Sequence, residues 1–304
     1  GSRQIACASC HDPELGWADG RTTGFGHNRI RLPRHSPTIR NAGLHRQLFW
    51  DGRVDSLEQQ VIDVVNSPDE MHSSAEHVAE LIREQYDYRG GIFSIYRKKL
   101  QLTAVPDVAS LSDEQILQCV SEVIACFERT IVGGQSRWDA FLLGRRDALT
   151  DQELLGLDLF RQDGRCMNCH HGPLMTDGKF HNLGLARFDR GQTDPGRYAV
   201  TEDLDDIGKF RTPSLRDVSR TGPYMHNGLL DLSTALRFYN RGMFQPPAVV
   251  IDGQSVSPQK SSHLRPLGMT TSELSALESF LRALEEPWSR VETPSFPDFE
   301  RSEE

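Results

Sequence analysis

Apolar residues recur at helical spacing in several separate stretches of this chain. In residues 56–65, leucine and valine fall on one helix face and Ser56 can cap the first turn. The same pattern predicts helices at residues 74–84, 113–131, 151–161, 231–239 and 271–284. Residues 1–44 and 172–225 lack it, and few stretches alternate as strands do. The pattern therefore predicts a mainly α fold with long loops.

Two C-x-x-C-H pentads give the strongest chemical signal, CASCH at residues 7–11 and CMNCH at residues 166–170. Two thiols at this spacing can each add to a haem vinyl group, and the adjacent histidine then lies under the iron. One C-x-x-C also fits a zinc half-site or a redox dithiol, but two copies followed by His favour two covalent c-type haems. The residues that would hold them are Cys7, Cys10, His11, Cys166, Cys169 and His170.

The pentads lie about one domain length apart, so we expect one haem in each of two domains. The segment GGQS at residues 133–136 is typical of a linker, which gives an N-terminal domain of residues 1–134 and a C-terminal domain of residues 135–304. The other two cysteines, Cys119 and Cys126, are seven residues apart on a predicted helix. That spacing is about 10 Å along the axis, too long for a disulfide, and we expect buried thiols.

Composition narrows the class of protein. A chain of 304 residues with 37% hydrophobic content can bury two ordinary cores. The net charge of -9 argues against a nucleic-acid partner. No apolar run is long enough to span a membrane, and no signal peptide is visible. Because haem attachment of this type takes place outside the bacterial cytoplasm, we expect a processed periplasmic protein.

Four further motifs accompany the pentads, namely FWDGR at residues 49–53, SPDEM at 67–71, FRTPSLR at 210–216 and GPYMHNG at 222–228. Together they resemble the bacterial di-haem cytochrome c peroxidase and MauG family over nearly the whole chain. The resemblance implies two cytochrome c-like domains with haem-wrapping loops. It also implies that the N-terminal haem reacts with hydrogen peroxide and that the C-terminal haem is a six-coordinate electron-transfer centre. The family usually has a further helix before the first pentad, so we expect a chain shortened at its start.

The resemblance assigns roles to single residues. His11 and His170 would be the proximal ligands. Glu70 matches the distal carboxylate that assists peroxide cleavage by taking and returning a proton, although position alone would suggest a solvated helix end. Gln60 matches a second polar group of the same pocket, where a solvated helix surface is the alternative. Trp50 matches an indole between the two haems and would otherwise be a core residue.

The distal ligands follow from the same resemblance. His27 aligns with a His that ligates the N-terminal haem of resting peroxidases, whereas MauG has an open distal side there. Tyr239 aligns where the peroxidases have Met and MauG-like members have Tyr. A phenolate oxygen should lower the potential and stabilise ferric and higher states. Packing of the Tyr239 ring in the core is the structural alternative, and Met243, Met225 and Met269 are competing ligands.

The chain departs from the family at three places. His35 stands where peroxidases commonly have an Asn that helps to hold an inter-haem calcium, and imidazole is a poor ligand for that ion. Thr221 and Pro223, whose carbonyls match other calcium ligands, are present, so calcium stays open. Val64 replaces a distal-pocket proline. The segment DGR at residues 163–165 stands where MauG has a surface-directed Trp.

Several functions fit these residues. In a MauG-like enzyme, hydrogen peroxide reacts at the N-terminal haem and its oxidising equivalents are shared with a His/Tyr-ligated C-terminal haem to oxidise a protein partner. A cytochrome c peroxidase would reduce peroxide to water with electrons from a small cytochrome c or cupredoxin. A non-enzymatic di-haem electron carrier would leave Glu70 and Trp50 without a role, and a haem-based sensor would bind carbon monoxide without turning anything over. Tyr239 favours the MauG-like function.

Overall fold

The computed structural model describes residues 4–89, 108–186, 194–251 and 253–287. Helices predominate there, as expected. They are α1 (Leu57–Asn66), α2 (Ala75–Arg89), α3 (Asp113–Glu128), α4 (Arg137–Leu142), α5 (Asp151–Arg161), α6 (Tyr198–Thr201), α7 (Leu232–Asn240) and α8 (Thr271–Ala283). The strands, of three residues each, are β1 (Phe180–Asn182), β2 (Lys209–Arg211), β3 (Val249–Ile251) and β4 (Gln254–Val256).

Side-chain caps begin the long helices where the sequence predicts them. The Ser56 hydroxyl accepts from Gln59 N at 3.2 Å at the start of α1. Ser112 and Thr150 cap α3 and α5, and each is part of a capping box that satisfies two otherwise unpaired amides. The predicted helices therefore exist with the expected starts, although α2 extends beyond the predicted residue 84 and α3 ends before the predicted residue 131.

In the first half of the chain, α3 packs against both α1 and α2. Their apolar faces form small clusters, of which Val61, Val65 and Leu117 are one and Ala79 and Ile116 another. Loops carry much of the described part of this half, including the first pentad, which lies on a 3₁₀ turn at Cys7–Ser9. The helices thus make a scaffold on which the loops are held.

The second half has one larger core between α5 and α8. Phe160 and Phe280 lie at its centre with 1% and 0% exposure, and their rings meet edge to face at 5.2 Å. Gly156 lets the two helices approach closely, because a Cβ there would lie 2.0 Å from the carbonyl oxygen of Ala276. The second pentad follows α5 closely in the chain and begins on a 3₁₀ turn at Cys166–Asn168.

Ion pairs and backbone bonds join the two halves. The Arg34 guanidinium binds Asp194 through two hydrogen bonds of 2.8 and 2.9 Å and also reaches Asp51 at 2.7 Å. The backbone amide of Arg211 donates to Trp50 O at 2.8 Å. The apolar clusters fall on either side of residues 133–134, where the sequence predicts the domain boundary, and that boundary stays a prediction.

Two expectations about local structure are wrong. The predicted loop region at residues 172–225 contains β1 and β2, which pair antiparallel with Phe180 opposite Arg211. Strands of three residues are too short to produce a visible alternation. Cys126 is exposed and Cys119 is half-buried, so they are not the buried thiols expected. Among the described helices, none is long and apolar enough to cross a membrane.

Candidate functional site

A cavity of about 870 Å³ lies between the two pentads and is lined by both of them. The loop after the first pentad, α1 and the end of α3 line one part, whereas α5, α7, α8 and the loop around β2 line the other. All six pentad residues that the sequence assigns to haem binding face it, namely Cys7, Cys10, His11, Cys166, Cys169 and His170. The fold thus brings together pentads more than 150 residues apart.

Each pentad histidine is oriented by a backbone carbonyl. His11 Nδ1 lies 3.2 Å from Trp17 O, and His170 Nδ1 lies 3.1 Å from Met175 O. A proton on Nδ1 in these bonds leaves Nε2 as the lone-pair atom, which is how a histidine is prepared to bind a metal. Burial lowers the pKa of His11 and lowers that of His170 to about 4. Both rings are therefore neutral and able to ligate at neutral pH.

The pentad thiols do not form a zinc site. Burial raises the pKa of Cys166 to about 12 and that of Cys169 to about 11, so both are neutral thiols at neutral pH. Among the described residues, the group of three side chains close enough to share a metal is Cys169, Asp177 and His181, which contains one cysteine of a pentad. Structural zinc needs four such ligands. The zinc alternative is therefore not supported by this geometry.

A half-buried cation lies at the cavity wall without an acidic partner among the described residues. Arg211 lines the cavity, and its Nη1 has no hydrogen-bond partner among the described residues, although Nε donates to Phe49 O at 3.2 Å. Burial alone lowers its pKa to about 10. A buried guanidinium prefers a carboxylate, which it can bind through two hydrogen bonds. The propionate groups of a haem are such carboxylates, so this wall fits the cofactor that the pentads imply.

The predicted peroxide-handling residues lie together on the wall of the first part. Gln60 and Val64 are one turn apart on α1, and Glu70 follows in the turn after that helix, where its amide lies 3.3 Å from Ser67 Oγ. Burial raises the pKa of Glu70, although the Ser67 hydroxyl opposes this. A carboxyl group with a raised pKa in an apolar pocket can both accept and return a proton.

His27 is not brought to the cavity. Its neighbour Gly26 is part of the lining, but His27 itself is not. The His27 ring stacks on His72 with centroids 4.3 Å apart, and its backbone amide lies 2.8 Å from Glu70 O. The loop therefore reaches the distal turn as the sequence suggests, while the imidazole is turned toward another side chain. This placement does not support His27 as a ligand.

Trp50 lies where the two halves meet. Its indole Nε1 donates to His35 O at 2.9 Å, and its ring lies 6.5 Å from that of His226, nearly edge to face. His226 stacks on Phe210 at 3.6 Å, is 3% exposed, and has no hydrogen-bond partner at Nε2 among the described residues. Burial lowers its pKa to about 3. His226 and Arg211 were not singled out by sequence reasoning, although both lie in motifs that carried the resemblance.

Tyr239 lines the second part of the cavity from the end of α7. Burial is the main cause that raises the pKa of its phenol, and the nearby thiols of Cys166 and Cys169 raise it further. Of the competing methionines, Met225 lines the cavity, whereas Met243 and Met269 do not. Met269 packs in the apolar core instead. Tyr239 therefore lies in the part of the cavity that the second pentad lines, and its role as a distal ligand stays a prediction.

The residues considered for calcium all line the cavity, namely His35, Thr221 and Pro223. His35 is 4% exposed, and its Nδ1 lies 2.8 Å from Arg21 O, so its ring is engaged with a carbonyl group. An imidazole offers no oxygen to a cation that binds oxygen ligands. The chemistry at residue 35 does not fit calcium.

Comparison with known proteins places this site in a family. The sequence model described as di-haem cytochrome c peroxidase matches residues 1–147. The chain is 30% identical to cytochrome-c peroxidase IdrP2 of Denitromonas iodatirespirans, over 99% of this chain and 81% of the relative. It is 33% identical to methylamine utilization protein MauG of Methylorubrum extorquens, over 97% and 77%.

The fold agrees with a solved structure of a MauG-like protein associated with microbial copper homeostasis. The two superpose with a TM-score of 0.76 at 29% identity, covering 94% of this chain and 85% of the other. The diheme peroxidase BthA of Burkholderia thailandensis, at 24% identity, has the same fold with a TM-score of 0.70. The chain therefore belongs to the di-haem cytochrome c peroxidase and MauG family, whose members are oxidoreductases that act with peroxide.

Proposed function

We propose that this protein is a MauG-like enzyme, in which hydrogen peroxide reacts at an N-terminal haem and the oxidising equivalents are shared with a C-terminal haem to oxidise a protein partner. The observation that carries the proposal is the position of Tyr239. It lines the cavity beside the second pentad, whereas Met243 and Met269 lie away from the cavity. An anionic oxygen ligand stabilises oxidised iron, which suits storage of oxidising equivalents.

Two covalently attached haems, one for each of the domains 1–134 and 135–304, would supply the redox chemistry. The pentad cysteines would hold them, and His11 and His170 would offer Nε2 to the iron because their Nδ1 atoms are engaged. Arg211 would donate to a haem propionate through Nη1, which has no hydrogen-bond partner within the described part of the chain. Coordination of Tyr239 would release its phenolic proton, since a metal ion inverts the effect of burial on the pKa.

Glu70 would move the proton of hydrogen peroxide at the first haem. Its carboxylate would accept a proton from one peroxide oxygen and return it to the other, which would leave as water, and the haem would supply the two electrons that this cleavage needs. Gln60, on the facing helix turn, would orient the peroxide by a hydrogen bond. Val64 and the other apolar residues around them limit water in the pocket. Trp50 would carry electrons between the halves, because it lies between them and contacts His226.

Met225 favours a second candidate function. It lines the cavity, and a thioether ligand would raise the haem potential. The protein would then be a cytochrome c peroxidase that reduces peroxide to water with electrons from a small cytochrome c or cupredoxin. A non-enzymatic electron carrier is less well supported, since Glu70 and Gln60 line the cavity. Because c-type attachment occurs outside the cytoplasm, we infer a periplasmic location for each of these functions.

Peroxide titration of the oxidised protein, followed by absorbance, tests the proposal. A MauG-like enzyme should form a long-lived species that holds two oxidising equivalents across both haems. Tyr239→Phe should change the ligation state of the C-terminal haem and abolish that species, whereas the control Tyr198→Phe, on a residue outside the cavity lining, should not. An absorption band of a Met-ligated ferric haem in the wild type would favour the peroxidase instead.

A further inference from the structure

A buried carboxyl group at the cavity wall has one oxygen without a hydrogen-bond partner among the described residues. Glu128 is the last residue of α3 and is 8% exposed. Its Oε2 forms no hydrogen bond within the described part of the chain. Together with Cys7 and Ile124 it lines the first part of the cavity. Because buried carboxyl groups are nearly always paired, this one calls for a physical explanation.

Burial and the charges around Glu128 bring the pKa of its carboxyl group close to neutral pH. The adjacent cation, Arg129, is held by Glu58 of α1 through bonds of 2.7 and 3.1 Å and does not pair with Glu128. Burial raises the pKa of Glu128 to about 7, with Arg129 opposing and Glu58 adding to the rise. Glu128 in turn raises the pKa of the Cys7 thiol, which places the carboxyl group beside the first attachment point.

We propose that Glu128 takes up a proton when the N-terminal haem is reduced, which rests on the proposed attachment of a haem to Cys7 and Cys10. In this step a one-electron donor, such as a redox protein or dithionite, converts ferric to ferrous iron. One proton from solvent binds the Glu128 carboxylate at the same time. The total charge of the pocket is then unchanged, which avoids a net charge change in a region of low dielectric.

The direction of the effect follows from electrostatics. Ferric haem carries one more positive charge than ferrous haem, and a nearby positive charge favours a carboxylate. The pKa of Glu128 is therefore lower in the ferric than in the ferrous protein. Between those two pKa values, the reduction potential of this haem should fall as pH rises, and outside them it should be constant. Other carboxyl groups also line this part of the cavity. Asp51 is buried and paired with Arg34 at 2.7 Å, and the half-buried Glu70 interacts with Arg53, Asp63 and the exposed Asp69.

Redox titration of the N-terminal haem at several pH values tests the proposal. The pH window of interest lies between the pKa values of Glu128 in the ferric and in the ferrous protein. Within this pH window, proton uptake should approach one per electron in the wild type and fall to zero in Glu128→Gln. The matched control is Glu122→Gln, an exposed residue of the same helix, which should keep the wild-type pH dependence. An unchanged pH dependence in Glu128→Gln would contradict the proposal.

A second readout and a second variant guard against a misfolded Glu128→Gln protein. Reduced-minus-oxidised infrared spectra should contain the carbonyl band of a protonated carboxyl group in the wild type and in Glu122→Gln, and its persistence in Glu128→Gln would oppose the proposal. Glu58→Gln removes a negative charge and frees Arg129, so it should move the pH window to lower values. An unchanged pH window in Glu58→Gln would contradict the assignment of the proton uptake to Glu128.

Haem content separates this inference from the proposed function. Two haems per chain with unchanged pH dependence would overturn the role of Glu128 alone. One haem per chain, with no redox transition at the first pentad in any variant, would overturn the proposed function itself.

Discussion

Glu70 shows how a single residue acquires a role from its surroundings. It is an ordinary acidic residue after a helix, yet burial raises its pKa and the fold sets it on the same wall as Gln60 and Val64. A carboxyl group of this kind can exchange a proton with peroxide, whereas a solvated one would stay ionised. Its environment, rather than its residue type, supports the catalytic role.

We therefore expect Glu70→Gln to bind both haems and to react with peroxide about a hundredfold more slowly or worse, within the usual range for a general acid-base group. Stopped-flow mixing with hydrogen peroxide measures the rate. The same substitution at Glu76, in the first turn of α2 and outside the cavity lining, serves as the control. An unchanged rate would remove Glu70 from the mechanism.

His27 leads to the opposite expectation. Its ring stacks on His72 and is not part of the cavity lining, so His27→Ala should leave the spin state of the oxidised N-terminal haem as it is. Electron paramagnetic resonance of the two proteins provides the comparison. Conversion of a low-spin to a high-spin signal in the variant would mean that the loop rearranges and that His27 is a ligand after all.

The sequence could predict only some of these residues. The haem-binding residues of a pentad can be identified from sequence, because the chemistry of attachment fixes the spacing of two cysteines and a histidine. Arg211, His226 and Glu128 draw their properties from burial by segments far away in the chain. No local sequence pattern predicts whether such a group will have a hydrogen-bond partner in the folded protein. Unpaired buried groups therefore emerge only from the three-dimensional structure.

At the scale of secondary structure, the helices were more predictable than the strands. A serine or threonine cap followed by apolar residues at helical spacing is a local signal, and α1, α3 and α5 begin where it predicts. The pairing of β1 with β2 joins segments separated by more than 25 residues, with three residues in each strand. Such a pair depends on the tertiary fold, because it is too short to stand alone.

The contact between α5 and α8 leads to a prediction about stability. Gly156→Ala places a Cβ 2.0 Å from Ala276 O, a backbone atom that cannot rotate away. We expect a loss of about 1–3 kcal/mol, typical of overpacking, despite the better helix propensity of alanine. Chemical denaturation measures it. Gly134→Ala, where the nearest atom would lie at 3.7 Å, should change the free energy of unfolding much less, and equal effects would contradict this account.

At the scale of the whole molecule, buried charges hold the two halves together. Arg34 pairs with Asp51 of its own half and with Asp194 of the other. Burial would raise the pKa of Asp194, but its bonds and attraction to Arg34 prevail and keep that pKa below its usual value. These residues lie 160 positions apart, and neither belongs to a motif that identifies its partner. The sequence therefore did not predict this contact.

Asp194→Asn should destabilise the protein by about 3 kcal/mol at neutral pH, the low end for breaking a buried pair, because Arg34 keeps Asp51. A carboxyl group with a lowered pKa in the folded state stabilises it above its unfolded pKa, about 3.9. That contribution disappears as pH falls through the folded pKa. Chemical denaturation should therefore show a smaller difference in the free energy of unfolding between the wild type and Asp194→Asn at acid pH than at neutral pH. Asp206→Asn, in a surface pair with Lys209 at 3.1 Å, should cost less than about 1 kcal/mol.

The cavity between the pentads also bears on the stability of a chain that lacks cofactors. About 870 Å³ of space lies between residues that are largely apolar, and apolar surface left in contact with water does not contribute to the stability of a fold. If the proposed haems fill this space, the chain without them should unfold more easily than the loaded protein. It should then also be cut more readily by proteases, so that molecules lacking a haem would be removed before molecules that carry both.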